Sequence, residues 1–266
     1  MGNLGSRYAI VALCLLAGAC DDAASHETDD LGGTTTAAAS TGDSEEMPMP
    51  DVGEVWEPRC ATPVGHTGRP NTIAEAIAHI QALPPPVDVP CVLESFARPL
   101  PVLATNSVFS AQPGRGDRSP RLFVFFDGLI LSFATTGHGA HLIEFAEFTA
   151  PKTTIKAELE FPLDPDMLVV EDAFTRIHDE DHGTVCRLCH RNEEAVDHLY
   201  EGAFISDALA PRQDTILELD DVRIYADACD PFEDEHRCAV YDALFEPGDV
   251  VPGTFDPEIQ TIFDYD

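Results

Sequence analysis

Lysine is nearly missing from this chain: of 266 residues only Lys152 and Lys156 are lysines. The 15 Lys and Arg stand against 48 Asp and Glu, a formal net charge of −33. Such a surface repels a nucleic-acid backbone, so no nucleic-acid partner is expected, and it offers no electrostatic attraction to anionic lipid. It suits solubility, cations or a basic partner protein. Several catalytic signatures are also missing. There is no Ser-His-Asp spacing, no phosphate-binding glycine loop and no H-E-x-x-H, which removes the commonest sequence grounds for a hydrolase. The acidic run Asp227 to Glu235 lacks the glycine and ligand spacing of an EF-hand and reads as a solvated loop. No internal repeat is present. Beyond the amino-terminal region, methionine occurs once, at Met167.

The apolar run Tyr8 to Ala19, preceded by the single charge of Arg7, is too short to span a bilayer. It ends in Leu16-Ala17-Gly18-Ala19-Cys20 and is followed by Asp21-Asp22. Small residues before a cysteine at the end of an export signal resemble a bacterial lipoprotein signal. The resemblance implies that residues 1–19 are removed and that Cys20 carries the lipid. The protein would then be exported and anchored through its amino terminus to the cell-envelope membrane. An ordinary cleaved signal followed by a free thiol is the alternative. Residues 20–55, rich in Asp, Thr, Ala, Ser and Glu, have too few apolar side chains to offset the entropy of ordering and read as a disordered tether.

The most chemically specific stretch is Cys186-Arg187-Leu188-Cys189-His190. Its C-x-x-C-H pattern resembles the haem attachment site of c-type cytochromes. The resemblance implies covalent haem c on Cys186 and Cys189 through thioether bonds, with His190 as the proximal iron ligand. Met167 is then a candidate sixth ligand, with His178, His182 and His198 as rivals that would give a lower potential. Three other readings stay open: a small surface disulfide, a redox-active C-x-x-C, and zinc held with nearby histidines. A second C-x-x-C, the usual partner in zinc ribbons, is missing.

Eight cysteines are present. Cys14 lies in the signal, Cys20 takes the lipid, and Cys186 and Cys189 belong to the motif. Cys60, Cys91, Cys229 and Cys238 remain, an even set suited to an oxidising compartment. Pairing Cys60 with Cys91 and Cys229 with Cys238 closes modest loops and is favoured, with two other pairings open.

Residues 56–266 read as a single folded domain of α+β class. Its core is an antiparallel β-sheet or sandwich, with a few flanking helices and a haem-bearing loop-helix segment. Thr72-Ile73-Ala74-Glu75 reads as a capping box opening a helix that Pro84-Pro85-Pro86 stops, with His79 on its exposed side. Residues 91–163 form the β-rich part. Strands are expected at Val92 to Ala97, Val102 to Thr105, Arg121 to Phe126, Leu129 to Ala134, His141 to Phe148 and Thr153 to Phe161. Asp127-Gly128 marks a two-residue hairpin. In the last strand Ile155, Ala157, Leu159 and Phe161 face one way, and Lys156, Glu158 and Glu160 the other. Residues 164–266 carry the motif in a loop, a helix capped by Asn192 and running to about Leu209, a strand from Ile216 to Ile224, and a helix from Asp234 to Phe245.

Two functions follow. One is a membrane-tethered monohaem electron carrier working with a redox partner protein. The other is a disulfide-stabilised, β-rich surface lipoprotein that binds a ligand or partner, its motif cysteines structural or zinc-binding. Peroxidase or gas-sensing chemistry would need an open iron position.

Overall fold

The computed structural model describes residues 58–179 and 183–264. These belong to one packed unit, Gly53–Asp266. Cys20, the signal and the tether lie outside the described residues, as do Trp56 and His182. Among the described residues no helix is long and apolar enough to cross a membrane.

The chain opens with α1 (Ile73–Gln81) and α2 (Val89–Glu94). Five strands follow: β1 (Leu100–Thr105), β2 (Arg121–Phe125), β3 (Leu129–Ala134), β4 (Leu142–Ala150) and β5 (Thr153–Glu160). Next come α3 (Asp172–Thr175), β6 (His178–Asp179), β7 (Gly183–Thr184), β8 (Glu194–Ala195), β9 (Phe204–Asp207) and β10 (Ile216–Leu217). The last elements are α4 (Leu219–Asp227), α5 (Glu235–Phe245) and β11 (Val250–Pro252). The main sheet has the order β10-β1-β2-β3-β4-β5-β9-β8, antiparallel throughout, and β11 joins β1 in parallel. The fold is therefore α+β. Among the described residues the second sheet is the two-stranded β6–β7 pair, which does not complete a sandwich, and helices cover one face of the main sheet.

Strand alternation gives this sheet two different faces. Val102, Leu122, Val124, Leu131, Phe133, Ile143, Phe145, Ile155, Ala157 and Leu159 point to one side, where they pack with Ile73, Ile77, Val92, Leu93, Tyr241 and Leu244 of the helices. The other side carries a smaller apolar cluster, Leu103, Phe123 and Ile130 with Phe125, Phe148 and Phe255. It also carries Arg121, Ser132, Glu144, Thr154, Lys156 and Glu158, whose register partners place them on this side.

Helix α1 starts where its capping residues direct. Thr72 accepts a hydrogen bond from the Glu75 amide at 3.1 Å, and the Glu75 carboxylate accepts from the Asn71 amide at 2.7 Å. Glu147 of β4 accepts from the Ile73 amide at 2.7 Å, which ties the helix start to the sheet. The favoured disulfides, Cys60–Cys91 and Cys229–Cys238, are both formed. The first fastens the segment before α1 to α2, and the second fastens the end of α4 to α5.

Several sequence expectations are corrected. Val92 to Ala97 is not a strand: Asp88 accepts from the Cys91 amide at 2.8 Å and caps α2, with Pro90 in the first turn. The helix expected from Asn192 to about Leu209 is replaced by β8, a turn and β9. Asn192 has φ 58° and Gly202 φ 75°, and β9 pairs with the free edge of β5. The strand expected from Ile216 to Ile224 shrinks to two residues, then becomes α4, whose first turn carries Asp220 and Asp221 at the positive end of the helix.

His79 is also corrected, from exposed to 2% exposed. Its Nε2–H donates to Ser95 Oγ at 2.8 Å, because that hydroxyl already donates to the Val92 carbonyl. Burial, reinforced by His66, pushes its pKa down to about 4. An imidazole held neutral when folded but free to charge when unfolded stabilises the fold above the unfolded pKa near 6.5, and this contribution is lost as pH falls toward 4. Wild type should therefore lose on the order of 2 kcal/mol more than His79→Gln across that window. Urea melts of the two proteins at pH 7 and pH 4.5 check this; parallel losses would refute it.

Candidate functional site

A cavity of about 890 Å³ lies against the sheet face that the helices leave uncovered. Its floor comes from residues of β2 to β5, and its walls from the segments around residues 107–111, 176–177, 185–190, 208–212 and 255–263. The volume is near the upper end for small-molecule and cofactor sites. Cys186, Cys189 and His190 all line it, together with Val185 and Leu188.

The motif sits on a tight turn, Val185–Leu188. Thr184 caps the turn, accepting from the Cys186 amide at 3.2 Å. Glu193 holds Thr184 in place by accepting from its amide at 2.8 Å and its hydroxyl at 2.6 Å. Both the Cys189 and His190 amides donate to the Cys186 carbonyl, at 3.1 and 2.9 Å. These bonds gather the three functional side chains within one turn of chain.

His190 Nδ1 lies 2.7 Å from the Asp207 backbone carbonyl. A carbonyl only accepts, so Nδ1 carries the proton and Nε2 keeps the lone pair. Burial, then Lys156 and Arg121, outweigh the Asp207 bond and push the imidazole pKa down to about 3. The ring is therefore neutral at ordinary pH, the form that ligates metals. An imidazole oriented through Nδ1–H to a backbone carbonyl is the usual outer support of a metal-ligating histidine.

Cys186 and Cys189 are both free thiols. Burial pushes the Cys186 pKa up to about 11, opposed by its Thr184 bond and by Lys156. Reactive C-x-x-C sites depress a thiol pKa, whereas burial moves Cys186 in the other direction. Among the described residues no group of three His, Cys, Asp or Glu is arranged to hold a metal ion, so the zinc reading finds no third ligand there.

The floor is a charged patch that the motif alone does not announce. Glu144 and Glu158 are directly opposite on β4 and β5. Arg121 pairs with Glu144 and donates to Ser132 at 2.7 Å. Arg176 donates to Glu158 at 2.6 Å and also pairs with Glu160. Burial, with Glu144 adding to it, raises the Glu158 pKa, and Arg176 works against the rise. Lys156 is buried, its ammonium directed to Thr154 Oγ1 and to the Asp207 carbonyl at 3.3 Å. Burial pushes its pKa down to about 8.

The other candidate ligands among the described residues lie elsewhere. Met167 is 77% exposed on the turn Pro165–Met167, and neither it nor the exposed His178 and His198 lines the cavity. The residues missed by sequence reasoning are Arg121, Glu144, Glu158, Lys156 and Asp207. The alternation of β5 placed Lys156 and Glu158 away from the core, and that was the available signal. Comparison of the chain with known protein families, curated proteins and solved structures finds no match.

Proposed function

We propose that this protein is a membrane-tethered monohaem c-type electron carrier of the cell envelope. Haem c is attached at Cys186 and Cys189, and His190 Nε2 is the proximal iron ligand. The observation that carries this reading is one convergence: two free thiols and a neutral, carbonyl-oriented imidazole line the same cavity wall. When bound, haem supplies a one-electron iron couple. The chain's own part is to fix the imidazole through Asp207, hold the motif turn through Thr184 and Glu193, and surround the site with Phe123, Phe148 and Ile177 against water. The membrane anchor at Cys20 and a redox partner with a basic surface belong to the same proposal. The latter follows from the net charge of −33.

A second reading is supported by the cavity floor. Paired charges beside phenylalanines suit an amphipathic small molecule, which a disulfide-stabilised lipoprotein could bind without haem. Expression in a host with cytochrome c maturation machinery separates the two. Purified protein should give a pyridine haemochrome spectrum and a mass higher than the lipidated polypeptide by one haem. A mass equal to the lipidated polypeptide would reject the cytochrome and leave the ligand-binding lipoprotein.

A further inference from the structure

We infer that Lys156 is a positioning residue for the haem site, one that raises its reduction potential by placing a buried positive charge beside the carbonyl that orients His190. The inference rests on the haem reading above. Lys156 and His190 come from distant parts of the chain yet meet at one oxygen. The Asp207 carbonyl accepts from His190 Nδ1 at 2.7 Å and from Lys156 Nζ at 3.3 Å. Among the described residues the ammonium's other hydrogen bond is to a neutral hydroxyl, Thr154 Oγ1, and Glu144, Asp207 and Glu193 add their charges to its surroundings.

Two effects follow, and they have the same sign. A carbonyl engaged by an ammonium is a weaker acceptor for the imidazole N–H, so Nε2 donates less electron density to a metal. A buried cation near the ligand also opposes the extra positive charge of oxidised iron, with little screening from solvent. Both favour the reduced state. A purely structural role explains the arrangement less well. An ammonium taken out of water is costly, and replacing buried ionic groups by neutral ones of similar size is often neutral or stabilising.

The test compares wild type with Lys156→Gln and Lys156→Arg, produced with maturation machinery and assayed for covalent haem before redox titration. In Lys156→Gln the ratio of reduced to oxidised protein, read at the wild-type midpoint, should fall about tenfold, a shift of about 59 mV for one electron. Lys156→Arg should return the potential toward wild type. If Lys156→Gln does not fold, Lys156→Met, which fills the same space without charge, must show the same fall. An unchanged potential with haem intact in every variant overturns the inference alone. Wild type without covalent haem overturns both the inference and the reading beneath it.

Discussion

Replacing Cys186 and Cys189 together by alanine should leave a protein whose denatured chain carries no haem stain at all. Thioether bonds survive loss of fold, whereas a haem held only by His190 and the cavity does not. Wild type should therefore stain for peroxidase activity on a denaturing gel, and the double variant should fall to background. Each single variant should lie between, because one thioether remains available. Neither thiol is needed for the core: Cys189 is exposed and Cys186 only partly buried, on a turn held by Thr184 and Glu193. Circular dichroism of the haem-free double variant should match that of wild-type protein produced without maturation machinery. Equal staining of wild type and double variant would sink the covalent assignment.

The second large effect is on stability. The Cys60–Cys91 bridge spans 31 residues and Cys229–Cys238 spans 9. Loop-closure entropy then assigns about 3.7 kcal/mol to the first and about 2.6 kcal/mol to the second. Replacing Cys60 and Cys91 by serine should cost more than that difference implies. Cys91 is fully buried in α2 and Cys60 is 4% exposed, so the bridge's two hydroxyl replacements enter the core. Denaturant melts of the two double-serine variants should rank in this order, with the first showing the larger fall in midpoint. The reverse order would refute the argument from loop length and burial.

Much of the sheet was legible because its strands alternate. Ile155, Ala157 and Leu159 announce one buried face, and Asp127-Gly128 announces the β2–β3 hairpin. The motif likewise pointed to the candidate site from five adjacent residues, of which Cys186, Leu188, Cys189 and His190 line the cavity. The floor was hidden because Arg121, Glu144 and Lys156 are brought to the motif only by strand order, which no local pattern encodes. The segment after the motif misled for a related reason. Val196, Leu199, Ala203 and Phe204 are spaced as on a helix, yet Val196 and Ala203 are buried where the Val196 amide donates to the Ala203 carbonyl, just beyond the β8–β9 ladder. Local periodicity was outweighed by a free row of backbone donors and acceptors on β5. His79 failed as a surface residue because its neighbours Ser95 and Phe96 come from the following helix and its end.

The two-faced sheet also gives the protein a form of quality control. Core and cavity are written on the same strands in alternate letters, so neither can be misassembled alone. A slip of β5 by one residue would turn Lys156 and Glu158 into the core and offer Ile155, Ala157 and Leu159 to the cavity. Moving these two ionisable side chains among the core's apolar residues would cost several kcal/mol, on the order of a large share of a domain's net stability. A chain with β5 out of register is thus destabilised as a whole, and so open to proteases and chaperones, rather than folded with a displaced floor. The register that buries Ile155, Ala157 and Leu159 is the same one that sets Lys156 and Glu158 in the cavity floor.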